Sequence, residues 1–251
     1  MTHSILKIEH LVKRFGGLAA VNHCNFEIAE NSITALIGPN GAGKTTMFDL
    51  ITGVLKHDSG EISFKGKPLG NLPTYQRSRL GMARTFQAIR IFPELTALEN
   101  IMLAFPENRE SFLDCFRPLK KWQIKLKHHA FELLEKIHLN EKAHTPAGSL
   151  SYGQQKLLEI MRAVATSSDL FLLDEPAAGV NRTMLHTIIA LIKQLHADGK
   201  TVVIVEHDMG FIMELSQRVI VMDYGKEIAE GTPEEIQKNP KVFEAYLGIK
   251  T

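Results

Sequence analysis

The stretch from Gly38 to Thr46 constrains the fold of this chain more than any other. It follows the apolar run Ile33 to Ile37 and precedes Met47 to Ile51, which is again mostly apolar. A strand that enters a tight turn and then a helix is the context in which G-x-x-x-x-G-K-[ST] binds phosphate. Gly41 and Gly43 allow backbone N–H groups to converge, and the following helix N-terminus adds donors and partial positive charge. The sequence therefore predicts a polyanion site here.

Each polar residue of this loop has a predicted task. Lys44 is expected to reach the β- and γ-phosphates of a nucleotide, and the Thr45 hydroxyl is expected to bind Mg²⁺. A glycine-rich turn that merely joins a strand to a helix is the alternative. The predicted nucleotide-binding residues of the loop are Gly38, Pro39, Asn40, Gly41, Ala42, Gly43, Lys44, Thr45 and Thr46.

Composition limits the other possibilities. A chain of 251 residues with 44% hydrophobic and 23% charged residues is expected to form one α/β-sized domain, or a core with a smaller lobe. The net charge of +1 gives no global reason to expect a nucleic-acid partner. Cys24 and Cys115 have no C-x-x-C spacing, so both are expected to be small buried hydrophobes. We expect neither a secretory signal nor a segment that spans a bilayer.

The segment of residues 5–37 predicts a small β layer, because short apolar runs alternate along it. Phe15 lies in this layer, and its ring is expected either in the core or as a face on which adenine stacks. Further on, residues 73–80 are predicted to be helical. Residues 82–87 are predicted to form a strand that ends at Gln87.

Beyond Gln87 the pattern becomes helical. Thr96 and Glu99 fit a capping box. One apolar face is predicted from Trp122, Leu126, Ala130, Leu133, Leu134 and Ile137, with Lys120, Lys121, Lys125 and Lys127 on the solvated face. We therefore expect a single domain over residues 1–251, with a helical subdomain at about 88–157 inserted into a core lobe of residues 1–87 and 158–251.

The second half returns to alternating strands and helices. Leu170 to Leu173 is an apolar run without polar alternation, as expected of a central parallel strand covered on both faces. Residues 182–197 are predicted to be helical, 201–205 to form a buried strand and 218–229 a hairpin, with a helical tail to Leu247. The predicted fold class is α/β, with a parallel central sheet, an N-terminal antiparallel β layer and an inserted helical subdomain.

Two carboxylates follow the predicted central strand. Ligands of parallel α/β sheets bind beyond the carboxyl ends of the strands, which is where the phosphate-binding loop also lies. Asp174 is expected to hold Mg²⁺, and Glu175 to accept a proton from a water that attacks the γ-phosphate. A solvated strand edge is the alternative explanation for this acidic pair.

Three further features are ambiguous when each is taken alone. His207 ends the next strand, from which it could reach the same crevice, but such a histidine is often structural. Gln87 taken alone is an ordinary strand end. Ser151 is a good N-cap and Gly153 permits close backbone approach, which fits either a second anion site or simply a well-capped helix.

Taken together and in this order, the phosphate-binding loop, Gln87, Leu150 to Gln155, Leu170 to Glu175 and His207 resemble the ATP-binding subunit of ABC transporters. The resemblance covers essentially the whole chain. It implies ATP as ligand, a P-loop NTPase core, and roles for Gln87 and His207 beside Glu175 in catalysis. Gln87 would also contact Mg²⁺. The resemblance further implies that Ser151, Gly153 and Gln154 contact the ATP held by a second subunit.

Several phrases are similar to the branched-chain amino acid import family in particular. These are Lys13 to Leu18, Arg84 to Gln87, Asp174 to Asn181, Glu206 to Met209 and Ala245 to Gly248. Importers of urea and amides share many of them. Two positions depart from the wider superfamily, which usually has Gly at Tyr152 and in many members Asp at Asn181. We therefore assign Asn181 no catalytic role.

This resemblance implies an ATPase that works as a homo- or heterodimer at the cytoplasmic face of the inner or plasma membrane. It would be held there by transmembrane permease subunits, docked at residues 88–99, and indirectly served by a solute-binding protein. Another importer ATPase, a soluble ABC-type ATPase without a transport pore, and a phosphotransferase such as a small kinase are the alternatives. The cargo cannot be read from this chain, because its contacts belong to other subunits.

Overall fold

The computed structural model describes residues 3–106 and 119–247, with side chains omitted at 119–123. Its strands are β1 (Ser4–Phe15), β2 (Leu18–Ala29), β3 (Ile33–Ile37), β4 (Ser59–Phe64), β5 (Lys67–Pro68), β6 (Met82–Arg84), β7 (Leu170–Asp174), β8 (Thr201–Val205), β9 (Arg218–Asp223) and β10 (Lys226–Gly231). Its helices are α1 (Lys44–Thr52), α2 (Thr74–Arg79), α3 (Ala97–Met102), α4 (Leu119–Lys136), α5 (Tyr152–Ala165), α6 (Arg182–Ala197), α7 (Met209–Leu215), α8 (Pro233–Gln237) and α9 (Pro240–Leu247). Short 3₁₀ turns occur at Asn140–Lys142 and Ala147–Ser149.

The first sheet is the predicted antiparallel layer. Its strand order is β2-β1-β4-β5, and each neighbouring pair is antiparallel. Leu6 pairs with Ile28 and Ile8 pairs with Phe26, and all four side chains are buried. Alternate residues of these strands therefore form one apolar face, which packs toward the rest of the core.

The second sheet has the order β10-β9-β3-β8-β7-β6. The pairs from β9 to β6 are parallel, and β10 adds an antiparallel edge, so the predicted parallel central sheet and terminal hairpin are both confirmed. Every residue of β3, β7 and β8 is buried. These apolar runs occur because both faces of the sheet are covered.

The two faces of β7 belong to different parts of the core. Leu170 and Leu172 pack in one cluster with α1 and the antiparallel layer. Phe171 and Leu173 pack in another cluster, with residues of α3 to α7. Because side chains alternate along a strand, a single five-residue strand holds the two layers together.

The helical region packs through the face that the sequence predicts. Leu126, Ala130, Leu133, Leu134 and Ile137 of α4 are all buried, whereas Lys125 and Lys127 are exposed. The side chains of Trp122, Lys120 and Lys121, and the whole of Cys115, lie outside the described residues. Cys24 is buried and unpaired, as predicted. The division into a core lobe and a helical subdomain remains a prediction, and α5 crosses its boundary at residue 157.

Two boundaries differ from the sequence prediction. Strand β6 ends at Arg84 rather than Gln87, because the N–H groups of Phe86 and Arg90 turn to the Glu159 carboxylate instead of continuing a strand ladder. The tail is two helices rather than one, since Pro240 begins α9 and cannot supply the N–H that a continuous helix needs. No helix among residues 3–106 and 119–247 combines the length and hydropathy needed to cross a bilayer.

The stability of the β9–β10 hairpin is expected to depend on pH. Burial, with help from the neighbouring Glu230, raises the pKa of Glu227 to about 7, against the opposing charge of Arg218. The folded protein then holds this proton more tightly than the unfolded chain does. The free energy of unfolding should therefore fall as the pH rises from about 4.5 to about 7.

We predict that Glu227→Gln removes this loss. The variant should match the wild type near pH 4.5 and exceed it by about 1 kcal/mol at pH 8, a value reduced because the half-exposed carboxylate is screened by solvent. Denaturant titrations at both pH values measure the difference. Glu61→Gln, at an exposed position of β4, is the control. A stability gain of the same size at both pH values would contradict this prediction.

Candidate functional site

The predicted phosphate-binding loop joins β3 to α1. Gly43 occupies the N-cap position of α1 with a φ of 103°, and no side chain caps the helix. The first turn also contains no acidic residue. The N-terminus of α1 therefore offers its N–H groups and partial positive charge to an external anion.

The glycines of the loop are required by close backbone contacts. A Cβ at Gly38 would lie 2.0 Å from the carbonyl oxygen of Met222, and a Cβ at Gly43 would lie 2.2 Å from that of Ala20. Both residues also have a φ that L side chains rarely adopt. The loop is thus pressed against β9 on one side and β2 on the other, which fixes its shape.

Lys44 folds back across the mouth of the loop. Its ammonium donates hydrogen bonds to the carbonyl oxygens of Gly38 at 2.6 Å and Pro39 at 3.0 Å. Burial lowers the pKa of Lys44, while the nearby carboxylates of Glu175 and Asp174 act in the opposite direction. The positive charge is therefore held within reach of any phosphate bound by the loop.

A groove of about 490 Å³ opens beside this loop. It brings together several predicted site residues that are distant in sequence, since Phe15, Gln87 and Glu175 all line it. The Phe15 ring is 48% exposed and lies in the wall of the groove rather than in the core. The remaining lining residues are Leu18, Ala19, Ala20, Asn22, Asn40, Gly41, Ala42, Gly43, Lys44, Thr45, Thr46, Val205 and Tyr224.

The two carboxylates after β7 have different surroundings. Asp174 is 2% exposed and pairs with a guanidinium nitrogen of Arg84 at 3.3 Å, and its backbone N–H donates to the Thr85 hydroxyl. Burial raises the pKa of Asp174, and Arg84 opposes that rise. Glu175 has a left-handed φ of 46°, and its N–H donates to the carbonyl oxygen of Val205. Its side chain accepts a hydrogen bond from Gln87 at 3.4 Å.

Arg84 is a site residue that the sequence reasoning missed. Its guanidinium pairs with Asp49 on α1 as well as with Asp174, and it stacks against the rings of Phe48 and Phe86. It therefore ties the phosphate-loop helix to the carboxyl end of β7. The available signal was a positive charge in the otherwise apolar strand segment Met82–Arg84.

The structure does not place His207 in this groove. Its side chain is 69% exposed, and it lines a separate, mainly apolar pocket of about 260 Å³ with Ile37 and Tyr246. The residue before it, Glu206, is buried and accepts hydrogen bonds from the N–H groups of Ala177 and His207. This differs from the expectation that His207 reaches the crevice, and the physical reason is that Glu206 takes the inward position at the end of β8.

Ser151, Gly153 and Gln154 also lie outside the groove of their own chain. Ser151 caps α5 and forms the reciprocal capping box with Gln154. A Cβ on Gly153 would lie 2.0 Å from the Met184 sulfur, and a Cβ on Gly179 would lie 2.8 Å from the Tyr152 ring. The start of α5 is therefore packed on the segment that follows Glu175.

The two departures noted in the sequence have structural roles of their own. The aromatic ring of Tyr152, which is half exposed, occupies the space that the absence of a side chain at Gly179 leaves open. Asn181 caps α6, because its side chain accepts a hydrogen bond from the N–H of Met184 at 3.0 Å. Capping requires a short polar side chain but not a negative charge.

The residues at the groove fit Mg²⁺ better than a metal held by protein alone. Within the described ranges, no group of three or more His, Cys, Asp or Glu side chains is placed to hold a metal ion. The available donors are oxygen atoms, from the Thr45 hydroxyl and the Gln87 amide in the groove lining and from the carboxylate of Asp174, which is buried and does not itself line the groove. Mg²⁺ accepts a small set of this kind because water and phosphate oxygens complete its coordination.

Two family models match the chain. The one described as "ABC transporter" covers residues 21–178, and the one described as "Branched-chain amino acid ATP-binding cassette transporter" covers residues 226–249. The chain belongs to the ABC transporter family. As a member of this family, the chain is an ATP-binding cassette, and ATP hydrolysis is its expected activity.

Individual relatives match this cassette over nearly its full length. The high-affinity branched-chain amino acid transport ATP-binding protein BraF of Pseudomonas aeruginosa is 40% identical, with 99% of each chain covered. The solved structure of the ADP conformation of an ABC transporter cassette has a TM-score of 0.84 at 34% identity, covering 99% of this chain and 100% of that one. A dimeric cassette in a post-hydrolysis state with ADP and Pi has a TM-score of 0.79 at 27% identity, covering 91% and 98%.

We predict that Gly43→Ala disrupts the loop of this cassette. The new Cβ would meet the Ala20 carbonyl oxygen in a backbone conformation that alanine resists, so the free energy of unfolding should fall by about 2 kcal/mol or more. Chemical denaturation measures the loss of stability, and a nucleotide-binding titration measures whether the loop still binds nucleotide. Gly17→Ala is the matched control, because its Cβ would meet nothing within 4 Å. Equal stability of the two variants would show that the close contact is unimportant.

Proposed function

We propose that this chain is the ATP-hydrolysing subunit of an importer for branched-chain amino acids or closely related solutes. The observation that carries the proposal is the groove, in which Phe15, Lys44, Gln87 and Glu175 surround the phosphate-binding loop. The importer and its cargo are suggested by the relatives, which are named as branched-chain amino acid transport proteins and match the chain from end to end.

ATP would lie along this groove with its adenine on the half-exposed Phe15 ring. The loop backbone from Gly38 to Thr46 and the uncapped N-terminus of α1 would bind the phosphates. Lys44 would exchange its two carbonyl contacts for phosphate oxygens, which offer full rather than partial negative charge. This exchange makes the position of Lys44 dependent on nucleotide.

Thr45, Gln87 and Asp174 would hold Mg²⁺. When bound, the ion would neutralise part of the charge on the phosphate oxygens. Arg84 restrains the Asp174 carboxylate through an ion pair of 3.3 Å.

Glu175 would accept the proton of the attacking water on its carboxylate. Its left-handed backbone and its hydrogen bond to Val205 fix the start of the side chain, and Gln87 restrains the carboxylate. His207 remains a catalytic candidate, although its side chain is exposed and does not line the groove.

A second cassette, identical or paralogous, would complete the site. The start of α5 lies away from the groove of its own chain. Its residues Ser151, Gly153 and Gln154 would instead contact the γ-phosphate held by the partner. The similar cassette solved as a dimer with ADP and Pi supports such a pair. Hydrolysis removes the group that both subunits bind, so the closed pair loses stability and opens.

Permease subunits would dock beside residues 88–99 and hold the pair at the cytoplasmic face of the membrane. A groove of about 340 Å³ lies there, lined in part by Arg84, Arg90, Glu159 and Arg162.

Reconstitution tests the proposed importer. We expect the cassette to co-purify with a membrane-embedded permease and, with a solute-binding protein, to drive ATP-dependent uptake of labelled leucine or valine into vesicles. Urea and short amides are the comparison cargoes. Uptake of urea alone would contradict the amino acid assignment, and purification without any membrane partner would favour a soluble ABC-type ATPase.

We predict that Glu175→Gln separates binding from hydrolysis. Loss of the base should lower ATP turnover by roughly 10²- to 10⁴-fold, about 3 to 5 kcal/mol of barrier, while ATP affinity persists. Phosphate release and equilibrium nucleotide binding measure the two quantities. Lys44→Ala is the contrasting variant and should weaken ATP binding itself. Turnover of Glu175→Gln within a few-fold of wild type would exclude Glu175 as the base.

A further inference from the structure

Helix α5 carries two buried charged side chains that the proposed chemistry does not use. Lys156 is completely buried and Glu159 is 5% exposed. They lie one and two turns beyond the capping box at Ser151 and Gln154. Both contact the bend that follows β6, residues 86–90, which contains Gln87.

Glu159 binds the two ends of this bend. One carboxylate oxygen accepts the N–H of Arg90 at 3.0 Å and the N–H of Phe86 at 3.4 Å. From the next turn of the same helix, Arg162 donates to the carbonyl oxygen of Arg90. Helix α5 thus holds both polar backbone groups of Arg90, and Gln87 lies between the two N–H groups that Glu159 binds.

Lys156 extends the same contact to the central strand. Its ammonium lies 3.5 Å from the carbonyl oxygen of Phe86 and 3.5 Å from that of Asp174, and 4.0 Å from the Glu159 carboxylate. One side chain therefore touches the residue before Gln87 and the residue before Glu175. Gln87 and Glu175 are in turn the two residues whose side chains meet at 3.4 Å in the groove.

A buried charged pair is a poor means of stabilising a fold. Removing two charges from water costs several kcal/mol per ion, and well-packed apolar residues often serve stability equally well. The neighbouring positions Leu157, Leu158, Ile160 and Met161 are buried and apolar, so the helix does not need charge to pack. The contacts made by Lys156 and Glu159 are instead specific, because each binds backbone groups of the bend or of the strand end.

We propose that Lys156 and Glu159 are positioning residues that fix Gln87 against Glu175 and link both to α5. The proposal rests on the function proposed above, since it assumes that Gln87 and Glu175 act on ATP. It adds a direct connection from α5, which Ser151 caps, to Gln87 and Glu175 of the same chain. Neither residue lines the groove beside the phosphate-binding loop.

Hydrogen exchange of the full chain tests the contacts themselves. In Glu159→Ala the amide of Arg90 should exchange at least about tenfold faster, because its hydrogen bond is lost. Glu159→Gln keeps a carbonyl oxygen at the same place and should preserve most of the protection. Glu135→Ala, at an exposed position on α4, is the control. Unchanged exchange of the Arg90 amide in Glu159→Ala would overturn the proposal.

Turnover of the same full-length variants tests the consequence. Glu159→Ala should lower the ATP turnover number by about 10- to 100-fold while ATP affinity stays within about threefold, because the phosphate-binding loop is untouched. Glu159→Gln should recover most of the activity. Lys156→Met, which keeps the apolar stem, should give a similar loss without weakening ATP binding.

A double-mutant cycle with Gln87→Ala distinguishes positioning from a general structural effect. If Glu159 acts through Gln87, adding Glu159→Ala to Gln87→Ala should lower turnover by no more than about twofold further. Full multiplication of the two losses, or loss of ATP affinity in Glu159→Ala, would overturn the proposal. Failure of the proposed function has a different signature, which is a wild-type turnover that Glu175→Gln does not change. In that case the exchange result still decides whether Glu159 restrains the bend.

Discussion

The register of three parallel strands sets the distance between the phosphate-binding loop and the acidic pair. Leu36 on β3 pairs with Val205 on β8, which pairs in turn with Asp174 on β7. Neighbouring strands are about 4.8 Å apart, so the acidic pair follows at a fixed distance, two strands away from the phosphate-binding loop. A shift by one residue would exchange the two faces of a strand and would separate Phe171 and Leu173 from the helices that they contact. Packing on both faces therefore also maintains the geometry of the site.

Buried charge joins the parts that this register leaves separate. Arg84 connects α1 to the end of β7, and the Lys156–Glu159 pair connects α5 to the bend and to the same strand end. Hydrophobic contacts tolerate small sliding movements, whereas a hydrogen bond to a particular backbone group specifies one position. The fold thus uses apolar packing to bring its layers together and a few desolvated charges to set their relative positions. That division accounts for charge in an interior that could have been apolar.

The sequence predicted the features that depend on local pattern. The tight turn between β3 and α1, the central strand over Leu170 to Leu173 and the helix over residues 182–197 follow from glycine spacing and from hydrophobic runs and periods, and the structure has all three. What could not be predicted depends on contacts across long sequence separations. The early end of β6 results from Glu159, 73 residues after Phe86. His207 is left exposed because Glu206 turns inward to accept the N–H of Ala177, a residue 29 positions earlier in the chain. Nothing in the sequence near Gln87 or His207 specifies those partners.

The packing of Gly153 against Met184 has a consequence for any pair of these chains. The start of α5 and the start of α6 are in direct contact, and α6 follows Glu175 after a short segment that itself touches Tyr152. In the proposed pair, the surface that one subunit offers to its neighbour's nucleotide therefore rests on the segment that leaves its own hydrolytic carboxylate. Two ATP molecules in such a pair would not be independent ligands. They would share a single opening coordinate, and the occupancy of one groove would alter the statistical weight of the closed state for both.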